Sequence, residues 1–146
     1  MMCSEQNELK KAWLNRYLDS KRKEKELLLE LEKLESDYIL PSKVIDDMPH
    51  GSAGDSDLSA FAAQYDHLYH KIKSQLRRSM IIYSQLVEAI DAMPTGEAPK
   101  TLLHYRYILG YTWERIAVEM NYSFRHVLRL HGEALSKFAI SKQKMS

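Results

Sequence analysis

The chain is poor in residues that cross-link, break or span. It holds one cysteine, five glycines and four prolines in 146 residues. The lone Cys3 excludes an intramolecular disulfide and suits a reducing compartment. No apolar run approaches the length a bilayer needs, so no transmembrane helix is expected. The start, Met1 to Glu8, lacks the basic and apolar regions of a signal peptide, and a cytoplasmic protein is the expectation. Also missing are a Gly-rich phosphate loop, a Gly-x-Ser-x-Gly elbow and a Cys–His pairing. The six histidines are scattered. No catalytic residue, metal or cofactor is expected, and no enzymatic activity.

Charge of one sign is also lacking overall, with a formal net charge of +1. That balance hides an asymmetry. Residues 1–98 carry 13 Lys and Arg against 17 Asp and Glu, and residues 99–146 carry 8 against 3. A basic module attached to a mildly acidic one is expected if only the module meets phosphates. Chance fluctuation explains so modest a surplus about equally well.

Good helix formers dominate residues 5–38, with no Gly or Pro. Leu9, Trp13, Tyr17, Leu27, Leu28, Leu31, Leu34 and Tyr38 recur at spacings that suit a coiled-coil seam. The run from Asp19 to Glu26 has no apolar residue and reads as a solvated helix face. Residues 39–57 read as a linker, with Pro41, Pro49, Gly51 and Gly54 as breakers. Its aspartates lack the alternation of a calcium loop, and turns and caps explain them more cheaply. Over 58–93 a second long helix keeps a stripe from Leu58 through Tyr65, Ile72, Met80 and Leu86 to Met93. His67 and His70 lie three apart on it, but nothing nearby completes a metal site, and surface histidines are the simpler reading. The two long helices suit an antiparallel hairpin or pairing with a second chain, and spacing does not choose.

From residue 99 the pattern shortens. A helix over 100–109 ends at Gly110. Thr112 has the chemistry of an N-cap, and Trp113, Ile116, Ala117 and Met120 share a face. Asn121 suits the left-handed residue after a helix, and Ser123 is a second N-cap. Val127, Leu130, Ala134 and Leu135 then form a buried stripe. The fold class is therefore all-α: a long-helix hairpin or coiled coil over 1–98, then a three-helix helix-turn-helix domain over 99–146.

The second motif helix can enter the major groove of DNA. Arg125 and Arg129 sit one turn apart in its N-terminal half, where a guanidinium can grip guanine O6 and N7. His126 can bond a base or a phosphate, and Phe124 and Leu128 can meet a thymine methyl. Thr112, Trp113 and Arg115 open the preceding helix as backbone contacts, which position without specifying. The plainer reading of each Arg is a solvated charge, and of Trp113 core packing, which is favoured.

The stretch from Leu103 to Ala117, with the continuation Ser123-x-x-x-Val-x-Arg-Leu-His-Gly-x-Ala-Leu135, resembles region 4 of bacterial sigma-70 factors. Most of the chain, including Asp47-Met-Pro-His-Gly-Ser-Ala-Gly-Asp-Ser-Asp-Leu-Ser59, is similar to small phage and prophage regulators of the ArpU and RinA type. The resemblance implies a phage-encoded transcriptional regulator, of late genes, that binds double-stranded DNA through Phe124, Arg125, Leu128 and Arg129. The long helices are expected to mediate self-association or contact with RNA polymerase. The chain departs from the sigma pattern at Phe124 and Leu128, which are apolar where sigma factors commonly carry polar readers. Two other readings stay open: a small terminase-like packaging adaptor, since those also join a helix-turn-helix to oligomerising helices, and an interaction protein that grips RNA polymerase or a sigma factor, which the apolar Phe124 and Leu128 support.

Overall fold

The computed structural model describes residues 2–45 and 53–140, with side chains over 4–38 and 57–140. All described regular structure is helical: α1 (Met2–Ile45), α2 (Ala53–Asp91), α3 (Glu97–Tyr107), α4 (Trp113–Met120) and α5 (Phe124–Lys137). Helix reaches further into the expected linker than the breakers suggest, and residues 46–52 lie outside the description. The chain divides into two compact units, residues 1–20 with 79–146, and residues 21–78.

In the first unit the start of α1 and the end of α2 run antiparallel beside the three short helices. Arg16 Nη2 donates to Gln85 Oε1 at 2.7 Å, Tyr17 meets Tyr83 at 5.5 Å, and the Ser20 and Ser79 hydroxyls lie 2.6 Å apart. The core joins all five helices. Leu14 of α1 and Ile82, Leu86 and Ile90 of α2 cluster with Leu102, Leu103, Ile116, Val127, Ala134 and Leu135. Three short helices alone offer little to bury, and the long-helix ends supply the missing apolar surface.

The second unit is an antiparallel pair of helix segments. Leu27 packs with Leu68 and Ile72, and Tyr38 stacks on Phe61 at 4.1 Å.

Two features of α1 differ from its sequence pattern. Leu14, outside the expected seam, is fully buried, and Leu9, inside it, is exposed. The run over 19–26 is not wholly solvated, because Ser20 and Glu24 are buried. Ser20 has Ser79 as its partner, and Glu24 accepts from Lys21 Nζ at 3.0 Å, so burial leaves neither polar group without a bond.

The short helices form for local reasons. Pro99 sits in the first turn of α3, where its missing N–H costs nothing. Gly110, at φ +71°, turns the chain from α3 toward α4 in a conformation side chains disfavour. Gly132 has no such excuse. It lies inside α5 with a negative φ, and a Cβ there would meet nothing within 4 Å. Gly132→Ala is expected to stabilise the protein by about 0.5–1 kcal/mol, as helix entropy dictates. Urea unfolding checks this, and a lower midpoint would contradict it.

Candidate nucleic-acid interface

Both motif helices start on the caps the sequence supplies. Thr112 Oγ1 accepts from the Arg115 N–H at 3.2 Å, and Ser123 Oγ accepts from the His126 N–H at 3.1 Å. Asn121 adopts φ 58°, ψ 45° between them. There the Tyr122 N–H donates to the Ala117 carbonyl at 3.0 Å and the Asn121 N–H to Val118 at 3.2 Å. This paired closure is the Schellman arrangement, with asparagine in the glycine role. It fixes the short turn that sets α4 against α5.

Burial then divides α5. Val127, Leu130, His131, Ala134 and Leu135 are buried. Phe124, Arg125, Leu128 and Arg129 are exposed, the two arginines facing away from that stripe and Phe124, at 45%, and Leu128, at 42%, flanking it. The four groups expected to face a partner do share an exposed surface. His126 is half-buried between the two sides. Its Nδ1 accepts from Arg129 Nη2 at 3.2 Å, and the edge of its ring meets Tyr122 at 4.5 Å. This contact steers the Arg129 guanidinium while leaving its other donors open.

The opening of α4 is mixed. The Thr112 hydroxyl accepts the cap bond and keeps its own O–H to donate. Arg115 is exposed, lies 4.0 Å over the Tyr111 ring and stands 4.0 Å from Glu119. Trp113 is half-buried: it packs against the core and meets the His131 ring of α5 at 4.6 Å. Arg106 covers Trp113 at 4.2 Å and donates to the Tyr111 carbonyl at 3.0 Å.

Three supports behind the surface have weak sequence signals. Lys10 Nζ donates to the Leu135 carbonyl at 2.7 Å, placing a cation at the negative end of α5. The partners lie 125 residues apart, so no local pattern announces them. The aromatic ring of Trp13 meets Phe138 at 5.6 Å just beyond that end. Finally, the Tyr107 hydroxyl lies 2.7 Å from His131 Nε2, tying α3 to α5.

Burial governs that last pair. It pushes the Tyr107 phenol up to about 12, against a smaller lowering by Arg106. It lowers His131 to about 4, helped by the Lys11 and Arg106 charges. His131 is therefore neutral in the folded protein at pH 7. An unfolded histidine protonates near 6.5, so this contribution to stability is complete above that pH and is lost as pH falls toward 4. The expected loss is about 2 kcal/mol by pH 5. Urea unfolding at pH 8 and pH 5 measures it, with His131→Gln expected to flatten the difference. An equal pH dependence in that variant would contradict the assignment.

Among the described residues no helix is long and apolar enough to cross a membrane. No family model, no curated protein and no solved structure matches the chain.

Proposed function

We propose that this chain is a phage-encoded, DNA-binding transcriptional regulator acting in the cytoplasm of a bacterial host, with α5 entering the major groove. One observation carries the reading. A doubly capped helix pair exposes Arg125 and Arg129, with Phe124 and Leu128 beside them, on a helix whose inward stripe is buried. Arg125 and Arg129 are the base readers, and Phe124 and Leu128 supply apolar contact to thymine methyls. Thr112 and Arg115 hold the phosphate backbone, and His126 positions Arg129. Trp113 acts from behind, by fixing α4. The basic surplus over 99–146 supports the same partner. The resemblance of the sequence to ArpU and RinA regulators, if it holds, makes late genes the target.

A second reading rests on apolar exposure. Val118 at 78%, Phe124 and Leu128 give the motif a surface that suits RNA polymerase or a sigma factor. Salt separates the two. On duplex carrying the phage's own late promoter, affinity is expected to fall with log[salt] at a slope of about −0.9 per phosphate neutralised. No measurable affinity at low salt would sink the DNA reading and favour the protein partner.

A further inference from the structure

The segment of α2 inside the second unit carries more apolar surface than that unit uses. Its buried cluster among the described residues is Leu27, Leu68 and Ile72. Beside it Leu58, Tyr65, Tyr69 and Leu76 stay exposed, at 50%, 37%, 48% and 43%. At 100° per residue these four fall within about 40° of arc, a single stripe roughly 27 Å long. Scattered exposed apolar residues are ordinary, but a continuous stripe beside a core of three buried residues, with Leu31 and Leu34 partly buried against it, is not.

The order of the stripe identifies its occupant. Reading along α2, the intervals are seven, four and seven, so the stripe is the same in either direction. Turned end over end on a copy of itself, it sets Leu58 against Leu76 and Tyr65 against Tyr69, twice. That is the self-complementarity a two-fold interface requires.

Charge follows the same axis. Residues 57–67 of α2 hold Asp57 and Asp66 and no Lys or Arg, and residues 68–78 hold Lys71, Lys73, Arg77 and Arg78 and no acid. The α1 segment repeats the division: residues 26–38 carry five acids against Lys33, and residues 21–25 carry four bases against Glu24. Two copies side by side in the same direction place like charges together. Two copies in opposite directions place the acidic half of each on the basic half of the other.

We infer that this face of α2 is the interface of an antiparallel, two-fold homodimer, centred between Tyr65 and Tyr69. The inference stands apart from the DNA reading, since neither its surface nor its test involves α5 or DNA.

Sedimentation equilibrium of the full chain is expected to give twice the monomer mass of 17.1 kDa. Tyr65→Glu with Tyr69→Glu is expected to raise the dimer dissociation constant roughly 100-fold or more while helix content holds, because both rings are exposed in one copy. Orientation is read by oxidative cross-linking in a Cys3→Ser background. A mixture of Leu58→Cys and Leu76→Cys chains is expected to give covalent dimer, and each variant alone is not. A monomeric wild type, or self-cross-linking of Leu58→Cys alone, would overturn the proposal.

Discussion

Leu86→Ala is expected to lower the unfolding free energy by about 3–5 kcal/mol, the range for a leucine removed from a site that cannot collapse. Leu86 is fully buried and lies in the cluster that unites α1, α2 and the short helices. Its neighbours come from several elements, so no single side chain can swing in to fill the gap. Domains of this size are stable by only about 5–15 kcal/mol, so the loss is a large share of the total. The location of the loss is as informative as its size. Amide exchange in α5 should accelerate along with exchange at the end of α2, because both are held by one core. If α3, α4 and α5 were an independent domain, Leu86→Ala would leave α5 protection unchanged. Leu28→Ala, at a side chain 50% exposed, is the control and should stay within about 0.5 kcal/mol.

Local chemistry was legible in the sequence. Thr112, Asn121 and Ser123 do what short polar residues do at helix ends, and their hydrogen bonds reach at most a few residues along the chain. Four of the five inward positions of α5 followed from 3.6-residue periodicity, because Val127, Leu130, Ala134 and Leu135 are apolar, whereas the polar His131 was not marked as inward. Periodicity misled where the partner chooses the face. Leu14 and Leu9 are both leucines on a long helix, and only the neighbouring elements decide which is covered. On α2 the apolar residues fill two adjacent faces, so a single stripe was one stripe too few. Ser20 and Ser79 form a polar contact inside the seam, which hydrophobic counting cannot see.

The candidate site divides in the same way. Phe124, Arg125, Leu128 and Arg129 could be placed because the buried stripe of α5 fixes its exposed side. The tether from Lys10, and the Tyr107–His131 bond, depend on tertiary approach. Tyr107 is buried although its hydroxyl gives it a polar tip, and only the matching imidazole makes that burial acceptable.

The second large effect concerns binding. Arg125→Ala with Arg129→Ala is expected to weaken DNA affinity by at least about 2 kcal/mol, roughly 30-fold, since each bidentate contact contributes about 1–3 kcal/mol. Both side chains are exposed and neither lies in the core, so the helical fold and thermal midpoint should hold. Thr112→Val is the contrasting change. It removes an N-cap and a phosphate donor together, so affinity should fall on every sequence alike, with a stability loss of about 1 kcal/mol.

The most direct test of the DNA reading is an anisotropy titration of wild type and the double arginine variant on late-promoter duplex, against a scrambled duplex, at two salt concentrations. The account predicts salt-sensitive wild-type binding that prefers the promoter, and a variant that loses both the preference and at least about 30-fold of the affinity. Equal affinity of the two proteins, with helix content intact, would contradict α5 as the reading element.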